Sequence, residues 1–496
     1  MLASWRVTLA PCFSDKRLRS GFCCRADALQ SHANGGEANG QMKKKKKKKV
    51  VIVGSGWAGL GAAYHLCNQG FDVTVIEGSP EDVGIRGYWS PYQNIFSLVD
   101  ELGIRPFTNW TASAHYSGEG LEVEFPIFKD LPQLPTPLGT LFYTQFARLP
   151  LVDRLTSLPL GAAVIDFDNT ETAWRQYDST EQCSAAATLA VLFYILAHQK
   201  DFDLVLCRGT VKEKIFEPLI DFLRSKGCEI LEGKKVTDFF FNEEEPTCIS
   251  EVVCGRESYN ADAVILAVGI SRLQELVKNS AVLCTREEFL KVLNLTSIDV
   301  VTVKLRLDRK VKIPNASNAC SGFDEFGWTF FDLNIIHDEH KDDPVTVLQA
   351  DFYHSNELLP MKDEDIVAKV MSYLSKCIKD FEHATVMDKE IGRFPQCLTH
   401  FFPGSYKYMM RGSTSFPNFF MAGDWIITRH GSWSQEKSYV TGLEAANRVV
   451  DYLEEGSFAK IIPLEEEEPH IQVLRSLNRR FNEFRDQVPL SNFFLQ

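Results

Sequence analysis

Residues 50–77, VVIVGSGWAGLGAAYHLCNQGFDVTVIE, constrain the fold more than any other stretch of this chain. Four β-branched residues, Val50 to Val53, run into Gly54-Ser55-Gly56-Trp57-Ala58-Gly59. A helix-compatible stretch follows, then an alternating segment, Asp72 to Ile76, that ends at Glu77. Each part has a mechanical reason. Gly54 permits the tight turn out of the strand, Gly56 lets a pyrophosphate approach the backbone, and Gly59 lets the helix pack closely on the sheet. The N–H groups of the first helical turn, which includes Trp57 and Ala58, face the phosphates with a partial positive charge. Glu77 ends the second strand, where a carboxylate accepts hydrogen bonds from a ribose. Ala63, Leu66 and Gly70 fall where the helix must be small, apolar and finished. The whole order (strand, loop, helix, strand, acid) reads as a dinucleotide-binding βαβ unit; a plain βαβ unit with a glycine turn is the alternative.

A chain of 496 residues has room for two domains. The formal charge is −13, although residues 1–49 carry twelve Lys/Arg against three acids, so the body is strongly acidic. Such a body argues against a nucleic-acid surface. The thirteen cysteines are scattered, with no CxxC pair. That fits free thiols in a reducing compartment and no structural zinc, and no metal site is expected.

Residues 1–41 read as an address. Arg6, Lys16, Arg17, Arg19 and Arg25 precede Ala26 or flank it, with hydroxyl residues between them and Asp15 as the one acid. The apolar run Val7 to Phe13 is broken by Pro11, so it is no secretory core. The pattern resembles an organellar transit peptide, the alternative being an unstructured tail. Residues 42–49 read as a Lys-rich linker. Ser184 to Ala197 is too short to span a bilayer and suits a buried helix or a monotopic insertion. The Pro- and aromatic-rich stretch from Phe128 to Leu160 suits either a cover over an apolar tunnel mouth or a loop packed on the core.

A second informative stretch lies near the other end. Phe419-Phe420-Met421-Ala422-Gly423-Asp424 reads as a strand entering a Gly-Asp turn, and Ser432-Trp433-Ser434-Gln435 opens a helix, with Ser432 and Gln435 at capping-box spacing. Asp424 on such a turn binds a ribityl hydroxyl or, through water, a phosphate. The helix N-terminus stabilises negative charge on a ring that has accepted hydride, which a flavin acquires and a nicotinamide does not.

These segments together resemble the flavin-containing amine oxidoreductases, most closely the plant-type carotenoid desaturases. Two further segments carry the resemblance: Asn260 to Val268 is similar to the family's ADxVVxAV strand, and Val236 to the valine whose backbone meets the adenine. No second GxGxxG occurs, so a separate nicotinamide domain is not indicated. Departures are visible too. GSPEDVGIRGYWSPY after Glu77 lacks the family's GG doublet, with Arg86 as a partial substitute. The segment around Trp174 to Ser179 is short, and Lys437 replaces a glycine close to the flavin.

The resemblance implies an α/β fold: a Rossmann-like FAD-binding domain of the glutathione-reductase type, beside an α+β substrate domain with an antiparallel sheet. Residues 50–90, 205–270 and 415–455 would form the first, 91–204 and 271–414 the second, and 456–496 an acidic linker and amphipathic helix. Alternation at Asp299 to Leu307 and Val345 to Tyr353 supports the antiparallel sheet, and Asp363 to Phe381 a helix over it. FAD is the expected cofactor, held by Gly54, Gly56, Trp57, Ala58, Gly59, Glu77, Val236, Gly423, Asp424 and Gln435. The implied activity is desaturation of an apolar, carotenoid-like substrate by hydride transfer to flavin. A quinone acceptor, peripheral membrane association and a chloroplast (plastid) location come with it. A flavin amine oxidase is the alternative, with Tyr406, Tyr408 and Trp425 as cage rings and Lys407 at the flavin. A non-catalytic binding protein or inactive shortened isoform is the third reading. No catalytic residue is assigned; Arg393, His400 and His430 each have an ordinary structural reading as well.

Overall fold

The computed structural model describes residues 47–78, 83–148, 199–242, 247–323, 327–428, 435–465 and 468–487. The readings on residues 1–41, Trp174 to Ser179, Ser184 to Ala197, His430 and Ser432 lie outside them, and so does most of the Lys run.

Five strands build a wholly parallel sheet: β1 (Lys49–Val53), β2 (Asp72–Glu77), β3 (Glu229–Glu232), β4 (Ala263–Leu266) and β5 (Phe419–Met421). Their spatial order is β5-β4-β1-β2-β3. Val50 to Val53 and Ala263 to Leu266 are buried throughout, as continuous apolar runs in a sheet covered on both faces must be. The helices that matter to the site are α1 (Trp57–Asn68), α2 (Gln93–Glu101), α3 (Leu138–Tyr143), α4 (Gln435–Leu453) and α5 (Pro469–Gln487). Two glycines bring α1 and α4 nearly backbone to backbone. A Cβ on Gly442 would stand 2.1 Å from the Ala58 carbonyl oxygen, and one on Gly61 would stand 2.7 Å from the Tyr439 ring.

The second large sheet has eight strands. At one edge, Thr296–Leu307 pairs antiparallel with both Val347–Tyr353 and the edge strand Val386–His400. Trp328–Asp332, Ser317–Cys320, Ser113–Ser117, Gly120–Phe125 and Gln145–Phe146 complete it in that order. All its pairings are antiparallel except Ser317–Cys320 with Ser113–Ser117. The helix Asp363–Cys377 covers one face, with Ile366, Val370 and Leu374 in the same core as Val301, Val303 and Leu305. The alternation at 299–307 and 345–353 thus marks neighbouring strands, since one face of each meets this core and the other does not. The segment Lys212 to Lys226 is helical as expected, though its first part, Lys212–Phe216, is a π-turn before the α-helix Glu217–Ser225. No helix among the described residues is long and apolar enough to cross a membrane.

Candidate functional site

Because the first sheet is parallel, the residues that follow its strands all emerge along one edge. Gly54 follows β1, Glu77 ends β2, Val236 follows β3, and Gly423-Asp424 follow β5. That carboxyl edge is where open α/β sheets hold their ligands.

The three loop glycines serve different needs. Gly54 has φ +105°, and a Cβ there would lie 2.2 Å from the Ala267 carbonyl oxygen. A Cβ on Gly59 would lie 1.9 Å from the Gly54 carbonyl oxygen, so this glycine lets α1 sit on the turn. Gly56 is different: its φ is −79°, and nothing lies within 4 Å of where its Cβ would point. Its missing side chain leaves open space in front of the helix. Gly56 is also the N-cap of α1 and gives the helix no side-chain cap. The first-turn N–H groups of Trp57 and Ala58 therefore look into that space, where they are suited to an anion.

Glu77 accepts hydrogen bonds from the Ser55 backbone N–H at 2.7 Å and the Ser55 hydroxyl at 2.8 Å. The carboxylate thereby ties the end of β2 to the loop after β1. Lys234 N–H donates to the Glu77 carbonyl at 2.9 Å, which brings the chain after β3 alongside. Val236 is buried there, and its carbonyl accepts from Arg272 Nη2 at 2.9 Å.

The late segment joins the same place. Trp57 Nε1 donates to Gln435 Oε1 at 3.0 Å, and Gln435 Nε2 donates to the Gly87 carbonyl at 3.3 Å. The first turns of α1 and α4 are thus linked across 378 positions of sequence. Gly423 has φ +140°, and its N–H donates to the Thr441 hydroxyl on α4 at 2.9 Å. Asp424 is half-buried and accepts from the Thr399 hydroxyl at 3.2 Å. Lys437 is fully buried, with its ammonium 5.5 Å above the Phe401 ring. Burial pushes Lys437 down to about 8, against the attraction of Asp424 and Glu444. Burial likewise pushes the Asp424 carboxyl up, against Lys437 and the Thr399 hydroxyl. A buried ammonium attracted by a half-buried carboxylate thus stands where the resemblance leads one to expect glycine.

Two buried acids that the sequence reading passed over support the site. Asp351, in the antiparallel sheet, accepts from Ile85 N–H at 2.7 Å and from Gln349 Nε2 at 2.9 Å, and is attracted by Arg86. Burial pushes its carboxyl up to about 6. The loop after Glu77 is short, and this carboxylate anchors it to the second sheet. Arg86 therefore stands near Asp351. Glu436 accepts from Asn94 N–H, Asn94 Nδ2 and Ile95 N–H at 2.9, 2.7 and 3.1 Å. It caps the start of α2, and burial pushes it up to about 7. Neither acid has a local sequence signal for its role, because the backbone N–H groups it holds at Ile85 and Asn94 are 266 and 342 positions away.

Glu436 makes a checkable contribution to stability. Its folded value lies above the ordinary glutamate value of 4.5, so the folded state holds the proton more tightly. The associated stabilisation is complete below pH 4.5 and is lost as pH rises through about 7. Denaturant midpoints should fall from pH 5 to pH 8, and Glu436→Gln should remove about 3 kcal/mol of that dependence. A variant whose pH profile parallels the parent's would show that Glu436 does not titrate this way.

Other candidates resolve as structural. Arg393 donates to the Leu359 and Met361 carbonyls and pairs with Asp363 at 2.7 Å, so it is a surface anchor. Lys407 is exposed, its ammonium 4.9 Å from the Tyr408 ring, which does not place it at an inner wall. Trp425 is a core residue whose Nε1 donates to the Val268 carbonyl at 3.1 Å, and Tyr406 is buried. His400 contacts Thr296 Oγ1 at 3.2 Å and meets the edge of His354 with centroids 4.7 Å apart.

Residues 82–450 match the sequence pattern of the flavin containing amine oxidoreductases, and residues 52–84 that of the NAD(P)-binding Rossmann-like domain. The 15-cis-phytoene desaturase of Synechococcus elongatus is 20% identical over 459 residues, which covers 80% of this chain and 95% of that protein. The zeta-carotene desaturase of Synechocystis sp. is 20% identical over 475 residues, 80% of this chain and 96% of that one. Among solved structures, a putrescine oxidase triple mutant superposes with a TM-score of 0.60 at 14% identity, over 82% of this chain and 99% of that one.

Proposed function

This chain belongs to the flavin-containing amine oxidoreductase family, and from that premise we propose that it is an FAD-dependent desaturase acting on an apolar, carotenoid-like substrate. The observation that carries the reading is the meeting of two distant segments, Gly54 to Gly59 and Gly423 to Gln435, at one edge of the parallel sheet.

The residues fit the cofactor. The open space at Gly56 admits a diphosphate to the start of α1, and a side chain there would fill it. In this proposal Glu77 takes the adenosine ribose, Val236 the adenine, and Gly423 with Asp424 the ribityl chain, as in a glutathione-reductase-type domain. Gln435 positions Trp57 rather than reaching back along its own helix in our reading. FAD, when bound, supplies a two-electron acceptor for hydride. The protein's part is positioning and charge: the start of α4 and the Lys437 ammonium both favour negative charge on the ring side, and Asp424 keeps that ammonium in place.

Substrate class rests on the desaturases that align along nearly their whole length, and on a surface suited to lipid. Leu138, Leu141 and Phe142 of α3 are 47, 49 and 77% exposed, and Val473 and Leu477 of α5 are 59 and 55% exposed. His470 Nε2 contacts the Thr136 carbonyl at 2.7 Å, and Thr136 N–H donates to Glu468 at 3.1 Å, so the two helices begin side by side. Arg479 and Arg480 are exposed on α5. Such a surface suits peripheral contact with an anionic membrane, from which apolar substrate would enter and in which a quinone would accept the electrons. The basic, hydroxyl-rich residues 1–41 extend the proposal to a plastid.

Purified protein is expected to be yellow and to bleach with dithionite. Held without oxygen, it should bleach on addition of a carotenoid-like polyene and not of a primary amine. Bleaching by the amine alone would establish the oxidase alternative, and colourless protein the non-catalytic one.

A further inference from the structure

The segment joining Trp328–Asp332 to Val347–Tyr353 gathers three potential metal ligands outside the flavin site. His337 Nδ1 stands 3.8 Å from Glu339 Oε1, and His340 Nε2 stands 2.9 Å from the same oxygen. One ligand atom from each of His337, Glu339 and His340 lies within 4.8 Å of the others. Tetrahedral zinc with bonds of about 2.0–2.1 Å needs ligand atoms about 3.3 Å apart, a value these distances straddle.

The backbone around them is firmly held. Asn334 donates to the His340 and Val345 carbonyls and accepts from Val347 N–H, at 2.8, 3.1 and 3.0 Å. Asp338 points elsewhere, to Arg208 and Lys214. His337 is 94% buried, being 6% exposed, yet neither of its ring nitrogens makes a hydrogen bond. His340 Nε2 makes none either, despite its 2.9 Å approach to Glu339. Buried imidazole nitrogens rarely stay unbonded, and unbonded ligand atoms gathered this closely suit a cation. The other nitrogen of His340 meets Asp343 Oδ2 at 3.1 Å. A carboxylate behind a histidine in this way fixes the tautomer that leaves Nε2 as a ligand.

We propose that His337, Glu339 and His340 form a site for a divalent transition ion of the zinc class, with Asp343 orienting His340. Two imidazoles and one carboxylate suit that ion, and Glu339, with its side chain 62% exposed, leaves a path for entry and a place for water as fourth ligand. Lys304 Nζ, 3.3 Å from Glu339 Oε1, competes with the ion for that oxygen. Bound metal would staple the connection between two strands of the antiparallel sheet. The run His337-Asp338-Glu339-His340 contains no cysteine, so the expectation of no metal, drawn from the cysteine spacing, does not bear on it.

The test is titration of the chelator-treated full chain with zinc chloride alone, followed by calorimetry and by elemental analysis after gel filtration. One equivalent is expected to bind and to raise the melting temperature, reversibly with EDTA. Glu339→Gln and His340→Gln should weaken binding by at least about 100-fold, and Asp343→Asn by about 10- to 100-fold. Lys304→Met should tighten it, while Cys284→Ser, at an exposed thiol, should leave it unchanged. Glu339 is on the surface, so its variant keeps the fold and isolates the ligand role. Failure to take up zinc, or equal affinity in Glu339→Gln and His340→Gln, would overturn the site.

Discussion

Gly56→Trp is expected to give folded, colourless protein. No atom lies within 4 Å of the added Cβ position, so the indole extends into the open space before α1 without displacing the core. The same indole occupies the place proposed for the diphosphate. Losing two charge-assisted hydrogen bonds costs about 3 kcal/mol or more, a drop in FAD affinity of at least about 100-fold. Gly59→Val makes the informative contrast. Its Cβ would meet the Gly54 carbonyl oxygen at 1.9 Å, and backbone on both sides cannot yield. That variant should lose at least about 3 kcal/mol of stability and fail to fold well, with or without FAD. Flavin absorbance and thermal melts of the two proteins separate a binding defect from a folding defect. A yellow Gly56→Trp protein with normal affinity would refute the placement of the diphosphate.

Lys437→Met should also have a large effect, for a different reason. Lys437 is buried and Asp424 half-buried, and each shifts the other's protonation. Removing the ammonium leaves the half-buried Asp424 carboxylate with the Thr399 hydroxyl and the backbone N–H groups of Asp424 and Trp425 but no opposite charge, at a cost of about 3 kcal/mol. Adding Asp424→Asn removes the stranded charge, and the double variant should return to within about 1 kcal/mol of the parent. Urea melts of the apo forms of the four proteins at pH 7.5 complete the cycle, and a coupling of about 2 kcal/mol or more is expected. Additive losses would mean that the two groups do not act as a pair. In flavin-loaded protein the same lysine is expected to favour the reduced form, so Lys437→Met should lower the midpoint potential relative to the parent.

The parts that could be read from the chain share one property: their physics is local. The turn at Gly54, the packing of Gly59 and the β-branched run before them act within a few residues, and the spacing displays them. The alternation at 299–307 and 345–353 reports the one face of each strand that meets the core under the helix Asp363–Cys377. Asp424 on its turn was legible for the same reason, with Gly423 at φ +140° supplying the bend. Lys437 stood out as a departure from a resembling pattern, although its burial did not.

What no local pattern could reveal depends on which distant side chains share a cavity. Asp351 and Glu436 look like any surface acid until the fold buries them against Ile85 and Asn94. Trp425 and Lys407 have the residue types of a catalytic cage, but folding assigns the first to the core and the second to solvent. His337 and His340 become a cluster only when Asn334 closes their loop on the strand beginning at Val347. Short-range sterics and periodicity are written into neighbouring residues, whereas desolvation and charge pairing arise from neighbours in space, and those exist only once the sheets and helices have packed.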